Sequence, residues 1–123
     1  MRAIRGATTV AADRADLLGD ATRELIGEIV RRNALAPADV ISAIFTVTDD
    51  LRSDFPARAA RALGWADVPL LCTVEIPVSG ALARCIRVLL HVESARARDA
   101  IVHVYLRDAR ALRPDLAGDD RPR

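Results

Sequence analysis

Arg84-Cys85-Ile86-Arg87-Val88-Leu89-Leu90-His91-Val92-Glu93 alternates with a period of two. Ile86, Val88, Leu90 and Val92 fall on one face; Cys85, Arg87, Leu89, His91 and Glu93 fall on the other. That is the pattern of a strand that buries one side. Its apolar face needs a covering layer, and the covering layer is upstream. Leu18, Ala21, Leu25 and Ile29 recur at spacings of three and four, an apolar stripe of about four helical turns. Asp13 or Asp16 is the expected N-cap of this helix, Arg31 and Arg32 suit its C-terminal dipole, and Asn33 to Asp39 with Pro37 stops it.

Around these two elements the rest of the chain falls into short pieces. Residues 2–8 read as a strand ending at Gly6, and Val40 to Val47, β-branched and apolar, as a second, buried strand. Thr48 to Asp54 is a polar loop. Asp54 is placed to cap a short helix with Pro56 near its start, Ala59, Ala60 and Leu63 inward, and Gly64 at its end. Val68 to Ile76 reads as a strand broken by Pro77, and Ser79-Gly80 as the turn into residues 84–93. Ser94 to Ala100 is a charged connection with room for one helical turn. Ile101 to Leu106 and Ala109 to Leu112 read as extended. The order predicts an α+β fold: a mixed β-sheet with one long and one short helix packed on one face.

Composition narrows the chemistry. At 123 residues, 51% hydrophobic and 28% charged, the chain fits one domain with a real core. Eighteen basic against seventeen acidic side chains leave a net charge of +1, with no footprint for nucleic acid or anionic lipid. No apolar run is long enough to span a bilayer, and a cytoplasmic protein is expected. Every basic residue is arginine, which removes lysine Schiff-base chemistry and a P-loop. The four aromatics, Phe45, Phe55, Trp65 and Tyr105, make no base-stacking platform. Cys72 and Cys85 lie in apolar stretches and suit reduced thiols; with His91 and His103 they have no zinc spacing, and no nucleophile elbow is present.

Four strand residues interrupt otherwise apolar segments: Arg5, Glu75, Arg87 and Tyr105. Taken singly, each reads as a solvated residue or half of an ion pair. Together they put two planar cationic forks, a hydroxyl and a carboxylate on the uncovered sheet face. Such a face needs a ligand or a second subunit, and the arginines favour a small anionic ligand.

The same residues sit in blocks that resemble the small trimeric monofunctional chorismate mutases of the AroH class. The blocks are Ile4-Arg5-Gly6-Ala7-Thr8-Thr9, Asp54-Phe55-Pro56-Ala57, Trp65-Ala66-Asp67-Val68-Pro69, Cys85-Ile86-Arg87-Val88, His103-Val104-Tyr105-Leu106 and Leu112-Arg113-Pro114-Asp115-Leu116. They run in order from residue 2 to about 117. No one block is specific; six in register are.

The resemblance implies a fold that assembles as a trimeric pseudo-α/β-barrel from ferredoxin-like sandwiches, over a single domain of residues 1–117 with a mobile tail at 118–123. It implies the Claisen rearrangement of chorismate to prephenate in phenylalanine and tyrosine biosynthesis, with no cofactor and no metal. By the same resemblance Arg87 faces the ether oxygen, Arg5 and Tyr105 hold carboxylates, and Glu75 accepts from the ring hydroxyl near Cys72. Leu70 and Leu71 line the pocket beside Cys72. Phe55, Ala57, Arg58 and Arg61 come from the adjacent subunit, and Leu112 and Arg113 close the mouth. The chain departs from the pattern at Arg58, where lysine is expected, at Leu71, where a more polar residue is expected, and between Arg61 and Trp65, which is about one residue short. Two other readings compete: a trimeric imine deaminase-like enzyme, and a non-catalytic chorismate- or prephenate-sensing module. Turnover of chorismate against turnover of an imino acid separates the first from the mutase, and tight binding without rearrangement would mark the second.

Overall fold

The computed structural model describes residues 1–113. Residues 114–123, which include the expected tail at 118–123, lie outside the described residues. Five strands form one sheet in the order β3-β2-β4-β1-β5: β1 Arg2–Thr9, β2 Val40–Val47, β3 Leu70–Val74, β4 Cys85–Val92 and β5 Val104–Tyr105. The strand with the clearest alternation, β4, is the central one. It pairs antiparallel with β1 on one side and β2 on the other; β3 and β5 add parallel at the two edges.

One face of the sheet is closed by helix α1 (Ala15–Asn33) and the short helix α2 (Pro56–Ala60). Leu25, Ile26 and Ile29 of α1 meet Ile4, Phe45, Val88, Leu90 and Val92 in the main core, with Trp65 fully buried behind α2. At about 1.5–3 kcal/mol for each large apolar side chain removed from water, this layer is the main source of stability. The helix can lie this close because Gly6 offers no side chain. A Cβ there would stand 2.7 Å from Ile29 Cδ1 and 3.2 Å from both Leu25 Cδ1 and Val88 Cγ1.

Several boundaries differ from the expectations. The first strand continues past Gly6 to Thr9. Helix α1 begins without a side-chain cap; its N-cap is Arg14, and Asp16 in the first turn pairs with Arg14 at 2.7 Å. Asp13 instead accepts the N–H groups of Arg52 and Ser53, each at 3.0 Å, and so ties the β2–α2 loop to the start of α1. Asp54 likewise sits one residue before the N-cap of α2, Phe55, and is bonded to Arg58 at 3.0 Å. The chain then makes a wide turn over Arg61–Trp65, with Gly64 at φ +94°. The third strand is shorter than expected, and residues 101–103 do not join the sheet. Residues 107–112 are a 3₁₀ turn rather than extended, because Ala109 is drawn fully into a small cluster with Ala7, Cys85 and Tyr105. Among the described residues no helix is long and apolar enough to cross a membrane.

Candidate active site

The uncovered face is assembled by register. Arg87 stands in the middle of β4 between the buried Ile86 and Val88, with Ala7 of β1 opposite it on one side and Thr46 of β2 on the other. Ala7 is small and leaves the guanidinium room. Arg5 lies two residues back along β1 on the same face, and Tyr105 of β5 is the cross-strand partner of Ala7. Glu75 follows directly after β3, anchored by its N–H to the Val47 carbonyl at 2.8 Å.

The four residues singled out from the sequence thus meet. Arg5, Glu75, Arg87 and Tyr105 line one open cavity of about 390 Å³, together with Ile44, Thr46 and Leu89. Arg87 Nη1 stands 3.3 Å from Glu75 Oε1, and the Thr46 hydroxyl donates to Glu75 Oε2. The two charged side chains are 41% and 24% exposed, so their pairing contributes little to stability, on the order of 1 kcal/mol or less. What it does is orient: with one carboxylate oxygen on Thr46 and the other on Arg87, the guanidinium is held toward the cavity. A planar donor, a second arginine and a phenol around a half-dry cavity can bind and polarise a small multivalent anion.

The other expected site residues are arranged differently. Cys72 is paired in register with Phe45, whose side chain faces the helices, and it packs partly buried against the main core. Its thiol is on the helix side of the sheet. The Glu75 N–H points toward β2, so by strand alternation the peptide of Cys72 points away from β2, to the free edge of β3. Cys72 therefore offers the outer edge a backbone N–H rather than sulfur. Leu70 turns inward against the core, while Leu71 is exposed. Phe55, Arg58 and Arg61 are exposed around α2 and outside this cavity, and Ala57 is buried in the α2 packing. Leu112 packs on the cluster that contains Tyr105, which brings the start of the C-terminal segment to the cavity's β5 side.

Burial tunes two groups near the site. The Cys85 thiol, sealed under Tyr105 and Ala109, is pushed up to about 11, mainly by desolvation, with Glu75 and Asp50 adding and Arg87 opposing. His103 is lowered from its ordinary value, first by burial and then by the charges of Arg5 and Arg113. Thr46 was not singled out from the sequence; only the β2–β4 register, which sets it opposite Arg87, reveals it. A larger cavity of about 520 Å³ lies by the start of α1, where Glu24 and Arg107 already pair at 3.2 Å.

Comparison with known proteins gives a consistent result. The family described as chorismate mutase type I matches residues 1–116. The chain is 48% identical over 117 residues to the chorismate mutase AroH of Thermus thermophilus, covering 94% of this chain and 96% of the relative. It is 42% identical over 118 residues to the chorismate mutase AroH of Bacillus subtilis (strain 168), covering 95% and 93%. A solved chorismate mutase from Clostridium thermocellum superposes with a TM-score of 0.89 at 47% identity, covering 90% of this chain and 99% of that one.

Proposed function

The chain belongs to the type I chorismate mutase family, and we propose that its isomerase activity, the rearrangement of chorismate to prephenate, takes place in the cavity of Arg5, Glu75, Arg87 and Tyr105. The reaction is intramolecular: a C–O bond breaks as a C–C bond forms, and negative charge gathers on the departing ether oxygen. It needs a compact conformer and fixed positive charge where the charge develops. Arg87 supplies that charge. It is locked mid-strand and aimed by Glu75, so little reorganisation accompanies the transition state. Arg5 and Tyr105 hold carboxylate oxygens, Glu75 accepts from the ring hydroxyl, and the Cys72 N–H donates to the same hydroxyl from the edge of β3.

The site is completed in a homotrimer. β3 is an edge strand, and Leu71, Val74, Ile76 and Val78 in and after it are all largely exposed, an apolar margin that a second subunit would cover. Phe55, Arg58 and Arg61 reach the neighbour's cavity across that margin, while Ala57, buried in the α2 packing, supports them from behind rather than touching the ligand. Leu112 and Arg113 close the mouth of the cavity from its β5 side, and the catalytic unit is residues 1–117. The two free thiols support a cytoplasmic setting.

One observation carries this reading: side chains from β1, β4, β5 and the end of β3 converge on one cavity, with Arg87 held by Glu75 at 3.3 Å. The test is loss of chorismate absorbance with purified protein, wild type beside Arg5→Ala. Turnover is expected in the wild type, and a KM raised about ten- to a hundredfold in the variant, the cost of a lost charge-assisted hydrogen bond. Binding without turnover by the wild type, or an unchanged KM for Arg5→Ala, would refute it.

A further inference from the structure

The parallel ladder between β1 and β5 is broken one step before the active-site residues. Gly6 and Ala7 pair with Val104 and Tyr105, and the Leu106 N–H donates to the Ala7 carbonyl at 2.9 Å. Extended backward by two residues, the same ladder would give the Arg5 N–H to the carbonyl of Val102. That carbonyl is taken elsewhere. Asn33, the last residue of α1 and 2% exposed, donates from Nδ2 to the Val102 carbonyl at 2.9 Å and accepts the Val102 N–H on Oδ1 at 2.8 Å. A third bond, from Nδ2 to the Ile29 carbonyl at 3.0 Å, fixes the amide on its own helix. The orphaned Arg5 N–H is satisfied by a side chain instead: it donates to His103 Nδ1 at 2.9 Å.

This bond fixes the state of the ring. Nδ1 must hold a lone pair, so the proton is on Nε2 and the imidazole is neutral. The surroundings agree. The charged and titratable groups around it are the Met1 amino group and Arg2 and Arg5 of β1, His91 of β4, Arg98 of the 3₁₀ turn at 98–100, and Arg113. Among the described residues that line this cavity none is a carboxylate, and Glu93 beyond them pairs with the Met1 amino group at 3.8 Å, so a protonated ring gains no carboxylate partner from the cavity wall.

We propose that His103 is a positioning residue for Arg5: its neutral imidazole stands in for a missing strand carbonyl, holds β1 where Arg5 grips the substrate, and on protonation lets go. This rests on the role given to Arg5 above. Protonation replaces an acceptor with a donor facing the Arg5 N–H, and adds a positive charge beside Arg5 and Arg113. Substrate capture therefore has an acid limit set by a residue that touches no substrate. Because burial and its cationic neighbours lower His103 from 6.5, the ring is neutral above that value and protonates only as the pH falls below it.

The test is the pH dependence of kcat/KM for the wild type, His103→Asn and His103→Ala, with Arg5→Ala alongside. Asparagine presents an oxygen where Nδ1 was and cannot be protonated in this range. The wild type should be flat above about pH 6.5 and fall below it through a rising KM. His103→Asn should stay near wild type at pH 7.5 and lose the acid limb. His103→Ala should show KM raised about tenfold at every pH, with kcat little changed. Heteronuclear NMR on the wild type should show the His103 ring nitrogens and the Arg5 amide titrating together. An acid limb that survives in His103→Asn, or an Arg5 amide indifferent to the ring's titration, would overturn the proposal. If Arg5→Ala leaves KM unchanged, the failure belongs to the site assignment instead.

Discussion

Arg87 is the side chain whose loss should slow the chemistry most. Its value lies in being a planar donor fixed before charge appears, worth about 3–4 kcal/mol, or two to three decades in rate. Arg87→Lys keeps the charge but loses the fork and some reach, so kcat should fall by about a hundredfold while the melting temperature hardly moves. Arg87→Ala should fall further, with KM the lesser effect. Steady-state kinetics and a thermal melt on the same samples check both. Cys85 makes a second prediction. With its thiol pushed up to about 11 and its side chain 2% exposed, it should resist iodoacetamide at pH 8, while the partly exposed Cys72 is alkylated. Peptide mass mapping decides it; modification of Cys85 in the folded protein would contradict the burial. Arg5, Glu75, Arg87 and Tyr105 were legible in the sequence because a charge or hydroxyl inside an apolar alternation is conspicuous. Thr46 and His103 were not, since each matters through a partner on another strand. Nor was the inward turn of the Cys72 thiol, which depends on the β2–β3 register.

Strands and helices followed the sequence where one periodicity ruled, and departed from it where a tertiary hydrogen bond or a buried contact won. The stripe of Leu18, Ala21, Leu25 and Ile29 is buried as expected, and β2 spans the expected residues. Residues 101–106 carry strand propensity, yet only Val104–Tyr105 join the sheet, because Asn33 captures the Val102 peptide. The caps failed for a related reason: Asp13 is worth more to the loop N–H groups of Arg52 and Ser53 than to its own helix. The contact of α1 with β1 gives the prediction at this scale. Gly6→Ala forces a methyl against Ile29, Leu25 and Val88. The ends of those side chains can shift, so the cost should be about 1–3 kcal/mol, read as a lowered melting temperature. An unchanged or raised melting temperature would mean that the helix rides higher above the sheet than 2.7 Å allows.

At the scale of the whole molecule, the described chain presents an arginine-bearing sheet face and an apolar edge strand, both calling for a neighbour. Light scattering should give the mass of a trimer. In the trimer proposed above, each site draws Arg87 from one subunit and Arg61 from the next, in keeping with Arg61 being exposed and outside the cavity that Arg87 lines. Arg87→Ala and Arg61→Ala should each be nearly inactive alone. Unfolded together in equal amounts and reassembled, they form rings in which about a quarter of the sites combine an intact Arg87 with an intact Arg61. The deciding measurement is chorismate turnover by that mixture, with mixed trimers verified by native mass spectrometry. Recovery to about a quarter of the wild-type rate is expected; mixed trimers no more active than either variant alone would mean that the site is not shared between subunits.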